Sequence, residues 1–263
     1  MLDSLKSLVH RVTGAGTSVA QLVTAAALPK PLADALLAPL TSAERSVIQA
    51  LEAMRDRTEN DRREISVLDH GAGSGSEHRS AEEMERGVVK TRVVGTMCKG
   101  LSKPPQWCEF LFKLVRHQRS LHGIEMGTCL GVSASYIAAA LKLNGQGRLV
   151  TLEGADSVAE IASRNLRELQ LDNVEVRVGN FSTTLVPALE AQRPVDFMFI
   201  DGHHDRDATL HYLAVARPYL APSNILVFDD IDWSDGMREA WSEIGRATQA
   251  YSLGNVGICL DVA

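Results

Sequence analysis

LHGIEMGTCLGVSASYIAAALKLN, residues 121–144, decides the fold. A short apolar run, 121–126, carries a carboxylate at Glu125 and leads into a glycine turn, EMGTCLGVSA (125–134). SASYIAAALKLN then places apolar residues at helical spacing. Strand, turn and helix in that order open a parallel sheet, and the pattern continues downstream. RLVTLEG (148–154), VEVRVGN (174–180), VDFMFIDG (195–202) and NILVFDD (224–230) read as further strands. SVAEIASRNLREL, TTLVPALEAQ, ATLHYLAVARPYL and DGMREAWSEIGRATQ read as helices, and the tail YSLGNVGICLDVA (251–263) holds two short β-like pieces. Uninterrupted apolar strands suit burial on both faces. The expectation is an α/β fold: a Rossmann-like, mostly parallel sheet with helices on both faces, plus an N-terminal helical appendage.

Upstream the pattern changes. Residues 1–66 read as helical, with PLADALLAPL and SAERSVIQALEAMRDR punctuated by Pro29, Pro31 and Pro39; Ser42 followed by Arg45 makes half a capping box. Residues 67–103 read as a loop, VLDHGAGSGSEHRS, with a helix after it and a break at KPP (103–105). PPQWCEFLFKLVRHQ is a proline-started helix and opens the third region, 104–263, which holds the sheet.

The chain has 263 residues, 45% hydrophobic and 23% charged, the mix of a globular protein able to bury a core without disulfides or structural metal. Its 27 basic residues face 33 acidic ones, for a net charge of −6. Without the basic excess that neutralises phosphate, nucleic acid is not the expected partner. No apolar run reaches the roughly 18 residues of a membrane span, and the N-terminus lacks a charged-then-apolar signal pattern. Cys98, Cys108, Cys129 and Cys259 lack zinc-ligand and CxxC spacing and read as reduced, mostly buried thiols. These features point to a cytoplasmic protein with a small-molecule partner and no membrane partner. The N-terminal helices are a candidate homodimer surface.

In an open parallel sheet ligands bind beyond the carboxyl ends of the strands. Those ends carry Glu125 and Gly127; Glu153; Gly179 and Asn180; Asp201; and Asp229 with Asp230. Gly127 and Gly131 let backbone approach a ligand. Glu153, ending the next strand, is placed to accept hydrogen bonds from a ribose diol. With Asn180, the set points to an adenosine ligand. The GxxxG spacing differs from the GxGxxG of a dinucleotide turn, so S-adenosyl-L-methionine is favoured over NAD. LDHGAGSG (68–75) imitates such a turn, but neither an amphipathic helix nor an acidic strand end follows it at the right distance.

IEMGTCLGVSASYIA, VTLEGADSVAEIASRNL, VGNFSTTL, DFMFIDGHHD and LVFDDIDW make residues 104–263 resemble a class I S-adenosylmethionine-dependent methyltransferase. Within that class the likeness is to metal-dependent small-molecule O-methyltransferases of the macrocin and catechol types. The whole chain also resembles bacterial methyltransferase-like proteins carrying the GAGS stretch, the KPP helix start and a DDIDW–GM–AW ending. The resemblance implies that the cofactor touches Glu125, Gly127, Thr128, Gly131 and Ser133 of the turn. It further implies contacts at Glu153 and Gly154, at Asn180 and Phe181, and at Asp201. It implies a divalent ion, Mg²⁺ by its all-oxygen ligands, on Asp201, Asp229 and Asp230, and His204 as the base beside Asp201. Catechol-type enzymes have Asp-Asn and a lysine where this sequence has Asp230 and His204, so the pattern departs from a catechol enzyme.

The other histidines carry no supporting pattern, although His203 adjoins the DGxH motif, and His211 lies on a helix. Trp233 and Trp241 read as packing residues, Trp233 also as a candidate wall of the acceptor pocket. Three functions fit these residues: a metal-assisted O-methyltransferase of a small hydroxylated metabolite, a metal-independent N-methyltransferase, and a non-catalytic cofactor-binding protein.

Overall fold

The structure is a computed structural model, and it describes residues 18–71 and 79–262. The start of the expected helical region, 1–17, and most of the glycine and serine tract, 72–78, lie outside the described residues. Three helices come first: α1 (Val19–Ala25), α2 (Lys30–Leu37) and α3 (Ser42–Glu59). Helix α3 begins with a complete capping box one residue earlier than Ser42 suggests. Thr41 accepts from the Glu44 N–H, and the Glu44 carboxylate reaches back to the Thr41 N–H at 2.9 Å.

The segment from 64 to 101 departs from the expected loop. Strands β1 (Glu64–Asp69) and β2 (Val88–Val93) form an antiparallel pair, with the short α4 (Ala81–Arg86) between them and α5 (Val94–Leu101) after. Both strands are rich in β-branched residues with partial alternation, ISV and VVKTRV, which favours extended pairing. The glycine and serine tract between them masks that signal. The helical reading of 1–66 therefore ends at α3, and 64–66 already belong to a strand.

Then come α6 (Pro105–Gln118), β3 (His122–Met126), α7 (Val132–Gly145), β4 (Arg148–Glu153), α8 (Asp156–Glu168), β5 (Val174–Val178) and α9 (Phe181–Gln192). They are followed by β6 (Val195–Ile200), α10 (Arg206–Ala216), β7 (Leu220–Phe228), α11 (Asp235–Ala247), β8 (Gln249–Leu253) and β9 (Val256–Leu260). The seven-stranded sheet has the order β5-β4-β3-β6-β7-β9-β8. Its first five members run parallel, and the β8–β9 hairpin closes the far edge antiparallel. Because β3 is flanked by β4 on one side and β6 on the other, the strand order reverses there, which places the cleft beyond its carboxyl end.

Each sheet face has its own core. On one, Phe112, Tyr136, Ile137 and Leu141 pack with Leu32, Leu36, Leu51 and Met54 of the N-terminal helices. On the other, Leu185, Leu189, Leu213 and Ile244 cover Ile124, Met198 and Leu226. The N-terminal helical appendage thus covers this core and shares in it.

A buried charge network fastens them. Arg55 of α3 donates to Glu52 (2.9 Å), to the Lys103 carbonyl (2.7 Å) and to Cys108 Sγ (3.3 Å), and Glu52 also accepts from the Tyr136 hydroxyl. Removing one partner of a buried set leaves the others uncompensated, at a cost of about 3–5 kcal/mol. Arg55→Ala should therefore lower the urea-unfolding free energy by about that amount; a loss under about 1 kcal/mol, the scale of a surface pair, would show the network to be incidental.

Candidate active site

Adjacent parallel strands end side by side, and here that brings the acids together. In the β6–β7 register Ile200 faces Phe228, so Asp201 and Asp229 emerge next to each other, and the Asp229 N–H donates to the Ile200 carbonyl at 2.9 Å. The turn after β3 is joined to the same edge. Gly127 and Thr128 both donate to the Leu152 carbonyl (3.0 and 3.1 Å), and the Asp201 N–H donates to the Met126 carbonyl (3.0 Å). Gly127 has φ +99°, and a Cβ there would stand 2.1 Å from the Asp201 carbonyl oxygen. Only glycine fits between the turn and β6, so the turn and the acidic strand end form one continuous surface.

Two of the residues expected at the ligand, Glu125 and Thr128, support this surface from within. Glu125 and Thr128 are wholly buried. The Thr128 and Thr151 hydroxyls lie 2.6 Å apart, and Thr151 donates to Glu125 Oε2 at 2.6 Å. Burial pushes the Glu125 carboxyl up to about 8 against the pull of the Ser133 and Thr151 hydroxyls. Side chains alternate along a strand. Ile124 and Met126 face the α9 side, which turns Glu125 toward α7 and Ser133, away from the cleft. The side chains of Glu125 and Thr128 thus hold the turn in place through Thr151 and Ser133. Gly131 is the N-cap of α7, with φ +82°.

Glu153 ends β4 at the mouth. Its Oε2 accepts from the Cys129 N–H (2.8 Å) and its Oε1 from the Ala155 N–H (3.0 Å), and burial pushes its carboxyl up to about 7. Each oxygen keeps a further acceptor position. The neighbouring Gly154 meets the hairpin excursion: a Cβ there would come within 2.8 Å of the His70 ring, itself held by the Met84 carbonyl at Nδ1 (2.7 Å). Asn180 caps α9, and its Nδ2 donates to the Glu85 carbonyl at 2.9 Å. Phe181 packs against His203 and Tyr212. The excursion between β1 and β2 thus covers the ends of β4 and β5, a roof where the sequence pattern predicts a loop.

The acidic end holds the reactive groups. His204 Nε2 lies 3.6 Å from Asp201 Oδ1 and 3.9 Å from Asp230 Oδ2, and its ring stands 6.1 Å from that of Trp233. Asn255 fixes Asp230 by donating to its Oδ1 (2.9 Å). His203 turns the other way: its Nδ1 pairs with the Tyr212 hydroxyl, and burial with the adjacent His204 lowers it to about 4. His203 is therefore a packing residue, and His204 is the histidine among the aspartates. Trp241 packs on Gly257 and donates to Ser252 (2.8 Å).

One further group joins the site without any signal in the sequence. The Lys103 ammonium reaches into the cluster and pairs with Asp229 Oδ2. Asp229 is buried and Lys103 is 13% exposed, and Asp201 and Asp230 add to the attraction that holds Lys103 charged. Burial and the nearby Asp201 push the Asp229 carboxyl up to about 6, with Lys103 pulling it back down.

The expected divalent ion can be tested against this arrangement. Mg²⁺ requires oxygen ligands in near-octahedral array, whereas an ammonium has no lone pair to give and already covers one oxygen of the central aspartate. At about 4 Å two like unit charges repel by roughly 4 kcal/mol near a protein surface, and a dication doubles that. Among the described residues no group of three or more His, Cys, Asp and Glu side chains is arranged to hold a metal ion. With Lys103 in place, Asp201, Asp229 and Asp230 do not fit a dication.

Comparison with known proteins bears on the site. Residues 124–231 match a family described as a methyltransferase domain. An O-methyltransferase from Bacillus cereus, crystallised in complex with SAH, covers 92% of this chain and 100% of its own at a TM-score of 0.53 and 22% identity. The fold is that of a class I methyltransferase. A catechol O-methyltransferase of Niastella koreensis is 31% identical to this methyltransferase-like chain over 134 residues, 50% of this chain and 58% of that protein. One from Mycobacterium tuberculosis is 34% identical over 124 residues, 47% and 54% of the two chains. The chain spans just over half the length of the curated relatives it matches. No helix of the described residues is long and apolar enough to cross a membrane.

Glu125 gives the methyltransferase fold a pH signature. Its carboxyl is raised from 4.5 to about 8, so the folded chain holds that proton more tightly than the unfolded chain. The stabilisation is complete below about pH 4.5 and is lost as pH rises through about 8. Urea midpoints should fall across this window, and Glu125→Gln should flatten the fall; an unchanged slope in the variant would assign the effect to other groups.

Proposed function

We propose that this protein transfers the methyl group of S-adenosyl-L-methionine to a hydroxyl of a small metabolite. The observation that carries the reading is the contact between Gly127 and Asp201, which joins the glycine turn to the acidic strand end in one cleft. The methyltransferase-domain match over residues 124–231 and the catechol O-methyltransferase names of two relatives support it.

In this reading the cofactor lies along the turn, with its ribose on Glu153, whose oxygens retain acceptor capacity, and its adenine beside Gly154, Asn180 and Phe181. The S-adenosyl group supplies the reactive methyl. The acceptor oxygen attacks that carbon, the C–S bond breaks with its electron pair left on sulfur, and the acceptor proton passes to His204 Nε2. Asp201 and Asp230, 3.6 and 3.9 Å from that nitrogen, face the charge the imidazole gains. Holding the reactants in line supplies up to about 7–11 kcal/mol of the barrier reduction. Trp233, whose ring lies 6.1 Å from the His204 ring, flanks the acceptor side. The divalent ion expected at Asp201, Asp229 and Asp230 has no part in this reading, because Lys103 pairs with Asp229 and is attracted by Asp201 and Asp230.

Calorimetry and product analysis test the reading. The protein should bind S-adenosyl-L-homocysteine, and Gly127→Val should abolish that binding. Turnover on a panel of hydroxylated metabolites should yield O-methyl products, and His204→Ala should lower kcat about 10²–10⁴-fold while leaving S-adenosyl-L-homocysteine affinity intact. Absence of binding to the unmodified protein, or N-methyl products alone, would reject it.

A further inference from the structure

We infer that Lys103 supplies, from within the chain, the positive charge that the strand-end aspartates would otherwise draw from a divalent ion, making the acceptor site independent of metal. The inference rests on the methyl-transfer reading for its chemical consequence, but its physical content stands on the geometry.

Three carboxylates converge at the ends of β6 and β7. Asp229 is 2% exposed, and its Oδ1 finds no hydrogen-bond partner among the described residues, while Oδ2 holds the Lys103 ammonium. Asp201 and Asp230 face the same ammonium and His204. Such a concentration of negative charge is relieved by protonation or by a counter-cation. The lysine supplies that cation, and it is delivered from a rigid point. The Lys103 carbonyl accepts from Arg55 Nη1 at 2.7 Å and lies 3.4 Å from Cys108 Sγ. Pro104 and Pro105 follow it, and a residue before proline is confined to extended backbone. The side chain is 13% exposed. A cation presented in this way is part of the fold.

An ammonium differs from a dication in what it does for an acceptor. It cannot ligate a catechol-like pair of oxygens, but it donates hydrogen bonds as a point charge. Beside Asp229 it would orient one acceptor hydroxyl and stabilise the negative charge that develops on that oxygen as its proton moves to His204. Lys103 is therefore a positioning and electrostatic residue whose preferred acceptor presents a single hydroxyl and needs no chelating diol.

The test is Mn²⁺ binding to the full chain, read by the electron paramagnetic resonance of the free ion, with turnover in EDTA as the second arm. The unmodified protein should leave added Mn²⁺ free and should keep its turnover in EDTA. Lys103→Ala should take up one Mn²⁺ per chain at least tenfold more tightly, and should lose turnover in EDTA while retaining S-adenosyl-L-homocysteine affinity. Lys103→Gln, which keeps a donor for Asp229, replaces the alanine variant where that fails to fold. Stoichiometric Mn²⁺ on the unmodified protein, EDTA-sensitive turnover restored by Mg²⁺, or no gain of Mn²⁺ in the variant would overturn the inference. Failure of the unmodified protein to bind S-adenosyl-L-homocysteine would instead sink the methyl-transfer reading, and Mn²⁺ uptake would still decide whether Lys103 replaces the ion.

Discussion

The pairing of the Lys103 ammonium with Asp229 is the constraint on which the site turns. Parallel pairing of β6 and β7 forces Asp201 and Asp229 to emerge together, and two adjacent carboxylates either hold a proton between them or take a compensating charge. The sheet creates the problem, and a residue from outside the sheet resolves it. That residue is held by Arg55, which belongs to the N-terminal helices. Strand register, helix docking and site electrostatics are therefore one connected set of interactions.

The same connection changes the meaning of the N-terminal third. Residues such as Leu51 and Met54 share a core with α6 and α7, and the hairpin of β1 and β2 reaches over the ends of β4 and β5 through His70 and Glu85. A cleft whose floor is the sheet thus takes its roof and its cation from segments that precede the sheet in sequence. In such folds the strand ends carry what is common to the chemistry, and the additions shape what is particular to each protein.

The sheet is largely legible in the sequence. Its strands are short apolar runs bounded by turn residues, and their terminal acids stand out because charge interrupts a buried pattern; Asp201, Asp229, Asp230 and His204 do come together as their spacing suggests. The setting of Glu125 is less legible, because proximity to a strand end does not say which face a side chain takes, and its parity turns it toward α7. The hairpin is illegible because its strands flank a glycine and serine tract whose loop signal dominates. Lys103 is illegible for a different reason. A lysine before two prolines reads as punctuation, and only the folded chain brings it beside an aspartate far along the sequence. The ammonium stands beside the aspartates that suggest a metal, and oxygen donors alone do not define a site when a fourth neighbour brings its own charge.

Delivery of Lys103 through Arg55 has a bearing on how the site comes into being. A centre completed by an ion becomes functional only after loading, and its occupancy follows the supply of that ion. Here the charge balance comes from the chain itself, through Arg55 of α3, which holds the Lys103 carbonyl. The charge balance at the strand ends is thereby tied to the packing of the N-terminal helices.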